Sequence, residues 1–344
     1  LQLTPVAESR YASRSYRQEA DTNMAPRTRT DSAHALPPPK SLRKAAPLQL
    51  GEPYYSTEFG EAYHADALLF LKSLPSDSVP LVVTSPPFAL RRKKEYGNVT
   101  QEEYVEWFLP FAQEIFRVLR PDGSFVLELG GSWNAGKPTR SLYQYELILK
   151  LGKIFHLAQD FYWYNPARLP TPAEWVTVRR TRVKDAVSLV WWLSKTEHPV
   201  ANNRRILQPY SDSMKRLLVN GYKPARRPSQ HVISDAFDKD NGGAIPPNLL
   251  TVSNTRSNEP YLRGCKAEGI APHPARFPRE LPNFFIRFLT VPGDLVVDPF
   301  AGSNVTGSVA EELARRWRVS DLREDYLQGS RHRFPELSAA ICER

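Results

Sequence analysis

Val82-Val83-Thr84 reads as part of a buried strand, and the run stops on Ser85-Pro86-Pro87-Phe88. Consecutive prolines have no N–H to give to a sheet ladder and push the residue before them toward extended backbone, so the strand must end there. Left at its carboxyl edge are a serine hydroxyl, carbonyls with no ladder partner, and an aromatic ring. In an open α/β sheet that edge is where ligands bind. Such a group suits alkylation of an exocyclic amine on a flat heterocycle. A hydroxyl and a carbonyl accepting from its two N–H bonds localise the nitrogen lone pair, while the ring holds the heterocycle by stacking. Taken alone, Ser-Pro-Pro is also a common way to end a strand.

The patterning around this strand changes period again and again. Glu61 to Asp66 reads as a strand ending on an acid, and Leu68, Leu71 and Leu74 have helical spacing. Glu102 to Leu119 reads as an amphipathic helix stopped by Arg120-Pro121-Asp122-Gly123. Ser124 to Gly131 is a strand carrying Glu128 near its end, followed by a helix over Ser141 to Phe155 and strands over Ala158 to Tyr164 and Ala186 to Ser194. Alternation of this kind predicts the α/β class: a doubly wound, mostly parallel sheet covered on both faces. Asn165-Pro166 opens a Pro- and Arg-rich stretch, and from 198 to 272 the alternation is lost. A long irregular segment inside a compact enzyme is usually functional.

Regular structure returns with a helix from about Pro278 to Leu289, and then a second strand runs into a loop of small residues, Asp298-Pro299-Phe300-Ala301-Gly302-Ser303, with a helix from about Asn304. About twenty residues on, Val319-Ser320-Asp321 is a strand ending in an acid, the spacing of the residue that binds ribose hydroxyls in dinucleotide folds. The loop is not G-x-G-x-x-G, which disfavours a nicotinamide cofactor. Asp298 is expected to meet the cationic amino acid portion of S-adenosyl-L-methionine.

Composition narrows the class. With 344 residues and 41% of them hydrophobic, the chain can bury one large core with an insert. No apolar run approaches a membrane span and no signal peptide is recognisable, so a cytoplasmic protein is expected. Two cysteines, Cys265 and Cys342, exclude a disulfide framework and a Cys-rich metal site, and no metal is expected. The net charge of +9 points to a polyanion. Residues 1–50 hold eight Lys/Arg and four acids and read as a disordered basic tail, with Met24 a candidate start within it. The remaining excess is clustered at Arg91-Arg92-Lys93-Lys94, at Arg179, Arg180 and Arg182, at Arg204-Arg205 and at Arg226-Arg227, which suits phosphate contacts.

Together the two motifs resemble the amino-methyltransferases of DNA, in the permuted branch where the catalytic half precedes the cofactor loop. The likeness extends over Ser85 to Leu90, Lys93 to Asn98, Asp160 to Trp163, Arg182 to Val187, Lys239 to Gly243, His273 to Pro278 and Gly302 to Asn304. Serine before Pro-Pro with Phe indicates the cytosine-N4-specific enzymes; the Pro-Cys nucleophile of cytosine-C5 enzymes is absent. The resemblance implies a circularly permuted, seven-stranded methyltransferase fold. It implies a catalytic half over 51–197, a target-recognition insert over 198–272 and a cofactor half over 273–344. It further implies catalytic roles for Ser85, Pro86, Pro87, Phe88 and Glu128, and an S-adenosyl-L-methionine pocket from Asp66, Phe277, Asp298, Phe300, Gly302, Ser303 and Asp321. Double-stranded DNA would be met by Arg91, Arg92, Lys93, Lys94, Arg182, Arg226, Arg227, His231 and Asn241, with the target base extruded. The expected target is a short palindrome, CAGCTG, shared with a restriction endonuclease, and the expected state is a monomer on DNA. In two places the chain departs from its resemblance: Glu128 stands where Asp is found, and Asp321 where Glu is usual. Adenine-N6 methylation and a DNA-binding protein with a decayed site remain alternatives.

Overall fold

The computed structural model describes residues 49–89, 99–221, 239–255 and 259–337. In chain order its elements are β1 (Tyr55–Ser56), β2 (Gly60–His64), α1 (Ala67–Ser73), β3 (Val79–Thr84), α2 (Tyr104–Val118), β4 (Leu119–Leu129) and α3 (Tyr143–Leu151). There follow β5 (His156–Tyr164), β6 (Val187–Ser194), α4 (Asp212–Asn220), β7 (Leu249–Thr251), α5 (Pro260–Ala267), α6 (Glu280–Leu289), β8 (Leu295–Asp298), α7 (Val305–Glu312), β9 (Arg316–Asp321) and α8 (Glu324–Ser330).

All nine strands form one sheet in the order β1-β2-β9-β8-β3-β4-β6-β5-β7. Its centre is the parallel pair β8 and β3, with Leu81 opposite Val296 and Val82 opposite Val297. Outward from β3 the sheet continues through β4, β6 and β5, whereas β9 and β2 lie on the other side of β8. The strand order therefore reverses between β3 and β8, and a crevice opens above their carboxyl ends. Strands that come last in sequence stand beside the strand that comes early, which is the permuted arrangement.

Successive residues of β3 point to opposite faces, and both faces are buried. Val82 joins Phe70, Leu71, Phe108, Ile115, Phe125 and Leu147 under α1, α2 and α3. Leu81 and Val83 join Val126, Phe285, Ile286, Val309 and Leu327 under α6, α7 and α8. That is why β3 reads as an unbroken apolar run instead of an alternating one. Full burial of each such side chain contributes about 1.5–3 kcal/mol.

Four differences from the sequence reading have physical causes. The central seven strands carry two short additions, β1 and β7, at the sheet edges. Arg120-Pro121-Asp122-Gly123 is not a stop between helix and strand. It is a bulge inside β4, where the register on β3 shifts between Val79 and Leu81, and a bulge tolerates proline. Asp66 lies beyond β2 and caps α1, accepting from the amides of Leu68 at 2.9 Å and Leu69 at 3.1 Å. The 198–272 stretch, expected to be irregular, contains α4, β7 and α5.

Candidate active site

The crevice holds a cavity of about 280 Å³, near the low end of small-molecule sites, which run roughly 300–1,000 Å³. One wall is Ser85, Pro86, Pro87 and Phe88 from the end of β3, and another is Phe300, Ala301, Gly302 and Ser303 from the loop after β8. Asp66, Phe277 and Asp321, also expected from sequence, line it as well, together with His273, Arg276, Arg323 and Tyr326, which were not singled out individually. Trp107 and Phe111 of α2 back the Phe300 ring at centroid distances of 6.0 and 5.2 Å. These two aromatics read in the sequence as ordinary core positions of an amphipathic helix.

The loop after β8 is held in one shape. Gly302 has φ +51°, and a Cβ there would lie 3.1 Å from the His273 ring. Its amide donates to Asp321 Oδ2 at 2.7 Å, and the Arg323 amide donates to Oδ1 at 2.8 Å. Burial pushes the Asp321 carboxyl up, and these two amides partly offset it. Asn304, also left-handed at φ +50°, caps α7 by accepting from the Gly307 amide at 2.8 Å. Arg333, paired with Glu259, donates to the Ser303 carbonyl and, at 3.1 Å, to its hydroxyl.

Asp298 departs from expectation. Its side chain is enclosed and takes no part in lining the cavity. Oδ1 accepts from Thr84 at 2.6 Å and from the Phe300 amide at 3.0 Å, and Oδ2 accepts from Thr306 at 2.7 Å. The carboxylate thus ties β3, the loop and α7 together and does not stand ready to meet a ligand's cation. Burial pushes its pKa up to about 6 despite those three donors.

Ser85 and Glu128 meet at the carboxyl edge of the sheet. The Ser85 hydroxyl donates to Glu128 Oε2 at 2.6 Å, while Oε1 accepts no hydrogen bond among the described residues. Burial pushes the Glu128 carboxyl up; the hydroxyls of Ser85 and Ser188 and the charge of Arg168 lower it, by less. No arginine forms an ion pair with it among the described residues. Phe88 lies against Gly130, where a Cβ would collide with the ring. The Tyr143 hydroxyl donates to the Gly130 carbonyl and receives the Ala89 amide, joining the Phe88 loop to the end of β4. Neither Gly130 nor Tyr143 could be picked out in sequence, because only the folded chain brings them to Phe88.

The basic residues divide. Arg91, Arg92, Lys93, Lys94, Arg226, Arg227 and His231 lie outside the described residues, as does the 1–48 tail. Arg182 is held by Asp185 at 3.0 Å. Asn241 is exposed, its amide donating to the Tyr210 hydroxyl at 2.8 Å and its Nδ2 to the Lys239 carbonyl at 3.0 Å.

Residues 79–331, from β3 to the end of α8, match the N6/N4 DNA methylase family. The chain belongs to that family. The methylase is 53% identical over 288 residues to the type II methyltransferase M.PvuII of Proteus hauseri, covering 82% of this chain and 86% of that one. The solved PvuII DNA methyltransferase, described as cytosine-N4-specific, superposes with a TM-score of 0.69 at 44% identity, over 85% of this methylase and 94% of that chain. A putative DNA modification methylase from Thermus thermophilus, complexed with S-adenosyl-L-methionine, shares the fold at 21% identity and a TM-score of 0.50, over 80% and 93% of the two chains. The methylase is an S-adenosyl-L-methionine-dependent enzyme acting on DNA. No helix among its described residues is long and apolar enough to cross a membrane.

Proposed function

We propose that this enzyme methylates N4 of cytosine in a short palindromic duplex site, CAGCTG, in the cytoplasm, as a monomer paired with a restriction endonuclease that reads the same site. The observation that carries the reading is the Ser85 to Glu128 hydrogen bond at the mouth of the cavity. A serine whose proton is committed to a carboxylate presents only lone pairs outward, which is what an amino group needs from its partner. The likeness to the solved PvuII DNA methyltransferase, described as cytosine-N4-specific, supports cytosine over adenine.

The residues present fit the cofactor. Asp321 stands at the end of β9 where ribose hydroxyls are bound, and Phe300 and Phe277 offer flat apolar walls beside Asp66. Bound there, S-adenosyl-L-methionine supplies an electrophilic methyl on a sulfonium. Ser85 Oγ and the Pro86 carbonyl accept the two N4 hydrogens, and Phe88 stacks on the base. Transfer of that methyl would leave N4 cationic and acidic. Its proton passes to Ser85 Oγ while the serine proton moves to Glu128 Oε2. Burial raises the proton affinity of Glu128 and so favours this transfer.

We assign target selection to 198–272, with Asn241, Arg226, Arg227 and His231 reading or flanking the groove. Protection of plasmid DNA against a panel of endonucleases tests this. Resistance at CAGCTG is expected; methyl incorporation with CAGCTG still cleavable would reject the specificity.

A further inference from the structure

The 165–186 segment between β5 and β6 lines no part of the cavity, yet it leaves the sheet on the side where the cavity opens. Tyr164 pairs with Val187 and Leu129 with Leu189, so both ends of the segment leave the sheet where β4 delivers Glu128. Arg168 is near enough for its charge to act on that carboxylate.

Two features set the segment apart. Leu169, Val178 and Val183 are 75%, 69% and 85% exposed, among the most exposed large apolar side chains described. The segment also carries five cations, Arg168, Arg179, Arg180, Arg182 and Lys184, against Glu174 and Asp185 alone. Both acids are already used, Glu174 on Arg179 at 2.7 Å and Asp185 on Arg182 at 3.0 Å. Arg180 is exposed, has left-handed backbone at φ 55°, and has no carboxylate partner among the described residues. Apolar and cationic groups are therefore presented together to solvent, next to the edge where a base must arrive.

The segment is nonetheless built. The amides of Thr181 and Arg182 donate to the Trp175 carbonyl at 2.8 and 3.1 Å, the Asp185 amide donates to the Thr171 carbonyl, and Lys184 spans the carbonyls of Pro166 and Arg168. A preorganised projection loses little conformational freedom on binding.

We propose that this projection enters the duplex beside the target base, with Val178 and Val183 packing into the space that the extruded cytosine leaves and Arg180 holding a flanking phosphate. Apolar wedges offset lost stacking in this way, and the cationic face matches the backbone on either side. The inference rests on the reading that cytosine is methylated outside the stack.

The test is Val178→Ser with Val183→Ser, and separately Arg180→Gln, in the full chain. These exposed positions lie outside both cores, so the variants should melt with the wild type. Single-turnover methylation is compared on a paired duplex and on one whose target cytosine faces an abasic site. On the paired duplex the double variant is expected to lose roughly tenfold, with most of the rate recovered opposite the abasic site, where less unstacking is required. No loss on the paired duplex, or the same loss on both substrates, would overturn the proposal. Failure of wild type to methylate cytosine N4 on either substrate would instead strike the function proposed above.

Discussion

Ser85 and Glu128 lie 43 residues apart in sequence and meet through a 2.6 Å hydrogen bond in which the serine is the donor. In the mechanism proposed above, the ionised carboxylate receives a proton through this bond and the serine passes on the one it takes. Ser85→Ala is accordingly expected to lower kcat by roughly 10²-fold, as for loss of one preorganised partner. Cofactor affinity, measured by calorimetry, should stay near wild type. Wild-type turnover in the variant would remove serine from the mechanism.

Glu128 gives a pH signature. The base must be ionised to accept, and burial holds its carboxyl above the usual range. Turnover should therefore fall as pH drops through that raised value, on an acid limb above the one an exposed glutamate would give. Glu128→Gln should cost less than Ser85→Ala, since water can take the proton, and should erase this limb. A Gln variant that keeps the limb would assign it to another group.

Two strand-end carboxylates expected alike from sequence sit differently in the fold, and the difference has a physical basis. β3 and β8 were readable because strands buried on both faces are apolar and end where prolines or small residues begin, whereas β9 carries Arg316 and Arg318 and only its Val319-Ser320-Asp321 end was legible. Asp321 was expected at the crevice because strand ends at the sheet's carboxyl edge face it by topology alone, and its side chain lines the cavity there. Asp298 ends a strand in the same way, but Thr84 and Thr306 enclose it, and those hydroxyls converge only once β8 lies between β3 and α7. The bulge at Pro121 escaped for a similar reason: a Pro-Asp-Gly run reads as a turn until Val79 is seen to pair with Leu119.

Asp298 makes its own prediction. A carboxyl raised from 3.8 to about 6 binds its proton more tightly in the folded state, so its contribution to stability is fully present below the unfolded value and is lost as pH rises through the folded one. A rise of that size corresponds to roughly 3 kcal/mol. In urea unfolding, the stability of wild type minus that of Asp298→Asn should fall by about this amount between roughly pH 4 and pH 7. A difference independent of pH would mean that Asp298 does not titrate in this range.

Gly302 tests the loop. Alanine in its left-handed conformation costs about 1–2 kcal/mol, and the added Cβ would press on His273 at 3.1 Å. Gly302→Ala should weaken cofactor binding by roughly tenfold. Unchanged affinity would detach this loop from the cofactor site.

The central claim is the identity of the methylated atom, and one measurement reaches it directly. Duplex DNA carrying CAGCTG is incubated with the enzyme and cofactor labelled in the methyl group, digested to nucleosides, and separated by chromatography with mass detection. The label should be found in N4-methylcytosine and should accumulate roughly 10²-fold more slowly with Ser85→Ala. Label in N6-methyladenine or 5-methylcytosine would contradict the account.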